Sequence, residues 1–321
     1  MKQILILLGG FCLSLPTIAK TLASTPCDAT YNNPCLVEEI NTIDYPLQCL
    51  RFSPDIRKYY QGNRNGLADL PTSASAIPTE AGWSHLYRSI RKVHPHGPIY
   101  LLDLREESHG YINGLPYTLM ERHNWINLDK TDAETAQAEK NWLDQLATRR
   151  DLHFVLTALL FNQHLYDQGQ SREIRQVNSE EEFVTSSGMI YKRLNISDHR
   201  APRSEVVNQF LQFYQKLPDD SWIHFHCRGG KGRSTTFLTM VDMLKNADQV
   251  SFDEIIARQA SIPPFYNLSR TDRDDPDLTP YYKARYHFLR IFYRYAQARL
   301  AGYQGNWSAW LSSTGESTRL W

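Results

Sequence analysis

The sequence lacks an excess of either charge: thirty-five Lys and Arg stand against thirty-five Asp and Glu in 321 residues. A whole-molecule field that attracts nucleic acid or an anionic membrane is thereby excluded, and any affinity for anions must be local. There is no CxxC pair and no HExxH, so the familiar zinc patterns are missing and no metal or other cofactor is expected. No internal repeat or low-complexity tract occurs, and no apolar run reaches the ~20 residues of a membrane-spanning helix.

What is present suits a folded chain. With 41% hydrophobic and 22% charged residues, the composition fits one large globular domain or two small ones. The opening "MKQILILLGGFCLSLPTIAKTLAS" joins a lysine, an apolar stretch from Ile4 to Leu15, and small residues at Thr17/Ala19 and Thr21/Ala23. It reads as a secretory signal over residues 1–23 with the cleavage point open, and predicts export to the periplasm or the medium. Cleavage would leave Cys27, Cys35, Cys49 and Cys227, and an oxidising compartment allows one disulfide among the first three.

Residues 25–80 are rich in Pro, Asn, Ser and Thr and are expected to wrap the surface. From residue 83 the texture changes. "WSHLYRSIRKV" has helical spacing, and "GPIYLLDLR" is a short buried strand ending near Asp103. Thr131 three residues before Glu134 predicts a capping box and a helix. Residues 153–178 read as two extended runs about "DQGQ", an inserted hairpin, with helix an option for the first half. "GMIYKRLNIS" is a strand running to a loop at Asp198. "SEVVNQFLQFYQKL" places Val206, Val207, Phe210, Leu211, Tyr214 and Leu217 on one helical face, "SWIHFH" is a strand, and a long final helix begins near Pro280. One α/β domain over residues 24–321 is the reading.

The chemistry concentrates in "HFHCRGGKGRSTTF", residues 224–237. A strand, a glycine-rich loop and a helix start near Arg233 form a cup of backbone N–H groups that suits a tetrahedral anion. Gly229, Gly230 and Gly232 let the main chain turn inward, and Arg233 can close the cup with a planar fork. The positive cup also favours the thiolate of Cys227. A free thiol titrates near ~8.5, and helix N-termini with adjacent cations lower such values to roughly 3.5–7.5. Ser234 is placed to donate to the sulfur. The nucleotide loop GxxxxGK[ST] fails because Gly232 follows Lys231, and GxGxxG fails because Thr235 stands where its third glycine belongs. A purely structural Cys227 would strand Arg228, Lys231 and Arg233 without partners. A phosphocysteine route needs an acid, and Asp198 in "NISDHRAP" is the candidate; a helix cap is its alternative role.

These residues resemble a known family. "HCRGGKGRS" is similar to the signature loop of the protein-tyrosine-phosphatase superfamily. Together with "GMIYKRLNISDHRAP" and "DLREESHGYINGLP" it resembles the bacterial cysteine phytases, the tyrosine-phosphatase-like inositol polyphosphatases, from about residue 65 through the last long helix. The resemblance implies a twisted central sheet flanked by helices, with a small partial-barrel elaboration. It implies Cys227 as nucleophile, Arg233 as phosphate clamp, Asp198 as general acid and His199 as a substrate contact. Asp103, Arg105, Glu106, Ser108 and His109 match the family segment beside the active site. Lys283 and Arg290, seven apart on the final long helix, match its basic contacts, with an ordinary solvated face as the alternative. His226, Arg228, Gly229, Gly230, Lys231 and Gly232 complete the expected substrate-binding set. Arg228, Lys231 and Ser234 depart from the usual phytase loop, and two loop cations resemble the inositol-lipid 3-phosphatases.

The expected substrate is a polyphosphorylated inositol. Each phosphate carries about −1.5 to −2, so a hexakisphosphate brings roughly −9 to −12. Arg228, Lys231, Lys192, Arg193, Arg200, Arg203 and His199 all fall in segments expected at the mouth, although only one of Lys192 and Arg193 can face inward from a strand. The expectation is metal-independent, stepwise hydrolysis of phytate. The alternatives are a tyrosine, dual-specificity or phosphoinositide phosphatase delivered to a host partner, a sulfurtransferase, or a non-catalytic inositol phosphate binder.

Overall fold

The computed structural model describes residues 25–272 and 275–318; the expected signal segment lies outside them. In chain order the strands are β1 (Cys35–Glu38), β2 (Arg51–Phe52), β3 (Thr72–Ser75), β4 (Ile99–Asp103), β5 (His109–Ile112), β6 (Leu115–Met120), β7 (Asp151–Thr157), β8 (Gln170–Glu173), β9 (Val177–Asn178), β10 (Ile190–Arg193) and β11 (Trp222–His226). The helices are α1 (Glu80–Val93), α2 (Asp132–Ala147), α3 (Ala158–Asn162), α4 (Glu180–Ser186), α5 (Ser204–Gln215), α6 (Gly232–Asn246), α7 (Phe252–Ala260), α8 (Thr279–Leu300) and α9 (Trp307–Thr314).

Five strands form the central sheet in the order β10-β4-β11-β3-β2. The first four run parallel and β2 is antiparallel at the edge. A parallel sheet must be covered on both faces. α5, α6 and α8 cover one face around Phe210, Phe225 and Phe237, and α1 and α4 cover the other around Trp83, Leu86 and Phe183. Phe210 meets the Phe237 ring at 5.0 Å and the Phe225 ring at 6.2 Å, so α5 clamps together the two elements that bracket Cys227. α6 is buried nearly all round, with Arg233 to Met243 enclosed, as a helix lodged between a sheet and other helices must be.

The second sheet has six strands in the order β8-β7-β1-β6-β5-β9 and is open, with no closed barrel among the described residues. Around residues 153–178, β7, which already begins at Asp151, pairs antiparallel with β8, and α3 lies between them. The Thr131/Glu134 capping box is complete.

Residues 25–80 do more than wrap the surface. They supply β1 to the second sheet and β2 and β3 to the first, and all four residues of β3 are buried. The small, mostly polar "TSAS" carries no apolar signal for a strand, although it packs against α6 in the structure. α9 is a further element beyond the long helix; its Trp307 is fully buried against Phe288, Phe292 and Tyr295. Cys27 and Cys35 form a disulfide, and Cys49 and Cys227 are free. Among the described residues no helix is long and apolar enough to cross a membrane.

Candidate active site

The loop after β11 forms the floor of a cleft of about 620 Å³. Cys227 sits at its base, 3% exposed, and the Ser234 hydroxyl donates to its Sγ at 3.2 Å. Gly230 has φ +62°, and a Cβ there would stand 2.3 Å from the Ala76 nitrogen, so the position demands glycine. A Cβ on Gly232 would meet Arg285 Nη1 at 2.8 Å. The buried Arg51 holds the loop from below, donating to the carbonyl of Gly230 at 2.8 Å and to Thr235 Oγ1 at 2.9 Å. Burial pushes that guanidinium down to about 10, while the sulfurs of Cys227 and Cys49 act to raise it.

Arg233, 1% exposed, is clamped by Glu107 through contacts of 2.6 and 2.9 Å. Its Nη1 also donates to the carbonyl of Ile196 at 3.1 Å, and its Nη2 lies 3.2 Å from Asp198 Oδ2. Nε has no hydrogen-bond partner among the described residues and remains as a donor. Burial works to raise the Glu107 carboxyl, but Arg233 and Arg105 hold it well below the ordinary range. Burial likewise opposes ionisation of Asp198, and the Arg233 and His199 charges outweigh it, so Asp198 titrates below a free aspartate.

Asp198 and His199 both line the cleft. The backbone carbonyl of Asp198 accepts from Trp125 Nε1 at 2.8 Å, and its Oδ2 accepts from Asn124 Nδ2 at 3.3 Å. His199 Nδ1 is 2.9 Å from the Tyr282 hydroxyl. Burial depresses its imidazole.

Of the expected substrate-binding set, His199, Arg228, Gly229, Lys231 and Gly232 line the cleft, and Gly230 shapes it. The others need correction. Asp103, Arg105, Glu106, His109 and His226 are fully buried and lie under the floor. β4 ends there and the chain turns back into β5, which sequesters the side chains of "DLREESHG" beneath the loop. His226 Nε2 lies 2.7 Å from Glu180 Oε1, His109 Nε2 lies 3.2 Å from Asp103 Oδ2, and Arg105 pairs with Glu107 at 2.9 Å. Glu106 accepts from Ser197 and meets Arg203 at 3.6 Å. Asp103, His109 and Glu180 are close enough together to hold a cation. We read the group as charge pairs, since each carboxylate already faces an imidazole.

Lys192 points to the helical layer, its ammonium 5.7 Å from the Phe213 ring centre, while alternation turns Arg193 inward onto Glu139 at 2.7 Å. Neither lines the cleft. Lys283 is exposed, and Arg290 packs on Phe252 at 4.6 Å beside Asp253. α8 instead presents Tyr282 and Arg285 to the cleft. Arg285 belongs to the inward stripe with Phe288, Leu289 and Phe292, and a cation on an apolar stripe was the available signal. Glu107, Glu39, Tyr45, Gln48 and Cys49 were also missed. Glu39 grips Arg228 Nε with both oxygens, at 2.7 and 2.8 Å.

Sheet, loop and clamp together define a cysteine-dependent phosphatase fold of the protein-tyrosine-phosphatase class. The profile of the PTP-like phytases, described by inositol hexakisphosphate, matches residues 102–245. The tandemly repeated PTP-like phytase of Mitsuokella multacida superposes with a TM-score of 0.79 at 28% identity, over 94% of this chain and 50% of that one. The M. multacida myo-inositol phosphatase in complex with myo-inositol-(1,3,4,5)-tetrakisphosphate gives 0.78 at 29%, again over 94% and 50%. A PTP-like phytase from Bdellovibrio bacteriovorus gives 0.70 at 29%, over 90% and 97%. The effector protein hopD2 of Pseudomonas syringae pv. tomato is 34% identical over 70% of this chain and 48% of its own length. The chain thus spans about half the length of several relatives. Over residues 102–245 it matches the protein-tyrosine-phosphatase-like phytase family, and its fold is that of the PTP-like phytases.

Proposed function

We propose that the chain hydrolyses inositol polyphosphates, phytate among them, one phosphate at a time through a phosphocysteine. One observation carries the reading: Cys227, Arg233 and Asp198 converge on a single cleft, with Asp198 Oδ2 3.2 Å from Arg233 Nη2. A phosphoryl group seated on the loop amides and Arg233 receives the Cys227 sulfur at phosphorus. The P–O ester bond breaks as Asp198 delivers a proton to the leaving oxygen. Water then attacks phosphorus, Asp198 takes its proton, and the S–P bond breaks with Ser234 donating to the departing sulfur. The depressed Asp198 is compatible with an acid role, because an arriving dianion engages Arg233 and puts negative charge beside the carboxyl, and both changes favour its protonation.

The test is turnover of inositol hexakisphosphate in the presence of a chelator. Cys227→Ser should abolish it, and a trapped phosphoenzyme should carry phosphorus on that side chain. Full hydrolysis by Cys227→Ser would overturn the reading.

A second reading is favoured by the charge inventory. Glu39 and Asp198 face Arg228, Lys231, Arg233 and Arg285 in the cleft, a modest excess for a ligand of roughly −9 to −12, and Tyr45, Tyr266 and Tyr282 add aromatic surface. A phosphoinositide or phosphotyrosine protein of a host fits that balance, and the effector relative supports export and delivery. Faster turnover of phosphotyrosine peptide or phosphoinositide micelles than of inositol hexakisphosphate would select it.

A further inference from the structure

We propose that Arg200 is a positioning residue that pegs the Asp198 loop in its working place and is not a ligand for substrate phosphate. The inference rests on the acid role proposed for Asp198. Arg200 stands two residues after Asp198, in a segment whose cations were expected at the mouth, yet it does not line the cleft. Its guanidinium carbon lies 4.4 Å from the centre of the Trp125 ring and 4.6 Å from that of Tyr281. The two rings meet edge to face at 5.0 Å, and the guanidinium fills the corner between them. Arg200 Nε is buried with no hydrogen-bond partner among the described residues. An arginine committed to two aromatic faces is placed to pack. Capturing a phosphate would require it to leave both rings.

The same Trp125 fixes the acid. Its Nε1–H donates to the Asp198 carbonyl at 2.8 Å, and the adjacent Asn124 donates to the Asp198 carboxylate at 3.3 Å. On the other side Tyr281 lies in the first turn of α8, and the next residue, Tyr282, meets His199. Between these anchors His199 adopts φ +66°, a left-handed backbone that a non-glycine residue keeps only where its surroundings over-determine it. Arg200 is the wedge common to both anchors: it joins the acid loop to the 121–128 segment and to α8 at one point. Without it, Asp198 keeps its chemistry but loses its aim.

The experiment uses Arg200→Met and Trp125→Phe, each assayed on p-nitrophenyl phosphate, whose leaving group departs without a proton, and on an inositol phosphate, whose alkoxide needs one. For Arg200→Met, kcat on the inositol ester should fall about ten- to a hundredfold, part of the roughly 10²–10⁴ that a general acid contributes. KM, and turnover of p-nitrophenyl phosphate, should change less than about twofold. Arg200→Lys, which keeps the charge but has no planar face to stack, should fall between. Trp125→Phe should show the same ester discrimination by removing the indole donor. If KM for inositol phosphates instead rises with phosphate number while kcat holds, Arg200 is a ligand and the proposal fails. Equal slowing on both esters makes the contact merely structural and also defeats it. Asp198→Asn separates the two levels. If that variant slows both esters alike, the acid assignment falls and the peg with it; if it discriminates between them and Arg200→Met does not, the peg alone is wrong.

Discussion

Glu107 has no contact with the cleft, yet it fixes the orientation of Arg233. Both side chains are buried, so removing one partner leaves an uncompensated charge in a dry place. Glu107→Ala should lower unfolding free energy by about 3–5 kcal/mol, read from denaturant midpoints, and should cripple turnover. Glu39 poses the opposite experiment. It occupies Arg228, so Glu39→Gln should free that cation and lower KM for inositol polyphosphates on the order of tenfold while leaving p-nitrophenyl phosphate nearly unchanged. A uniform change on both substrates would place Arg228 outside the binding surface. At this scale the sequence singles out Cys227, Arg233 and Ser234 because one loop dictates their spacing, and Asp198 because it stands in the separate turn that follows β10. It could not tell Glu106 from Glu107, because strand alternation stops at Asp103 and the chain turns before β5, so no period assigns those side chains a direction.

The elements follow a similar division. β4, β10, β11 and α5 were legible because an apolar run or a stripe, bounded by turn residues, has few other ways to be buried. β3 was not, since its burial is demanded by neighbours that only the tertiary fold brings near. α8 was recognised as a helix, but its rotation was not. Lys283 and Arg290 share a face that points away, and the packing of Phe288 and Phe292 turns Tyr282 and Arg285 to the cleft. The loop itself is constrained by its backbone. Gly230→Ala would add about 1–2 kcal/mol of left-handed strain and force a backbone contact at 2.3 Å. Circular dichroism should show a folded protein with lowered thermal midpoint, and phosphatase activity should be lost. Retained activity would mean the loop can relax without its turn.

For the molecule as a whole, buried histidines set how stability follows acidity. Burial first, then the neighbouring His226 and Arg51, hold His224 well below the ordinary imidazole range, between the hydroxyls of Ser73 and Ser75. Its folded state resists the proton that the unfolded chain accepts near ~6.5. Its stabilisation is therefore complete above that value and declines as pH falls below it. His109 has the reverse sign. Burial and Arg105 depress it, but Glu139 and Asp103 win and raise it, so its contribution is complete below ~6.5 and is lost as pH rises through the folded value. Thermal midpoints measured between about pH 7 and 5 should fall for the parent chain, and the fall should be shallower in His224→Gln. An unchanged slope would assign the acid response to other groups.

The grip of Glu39 on Arg228 has an evolutionary corollary. Glu39 directly follows β1, and its aim is set by the pairing of Glu38 with Tyr117 across β6. A shift of that ladder by one residue would swing the carboxylate off the phosphatase loop. Drift in the β5–β6 hairpin can thus change how much of the Arg228 charge is left for an anion, leaving every atom of the reactive centre untouched.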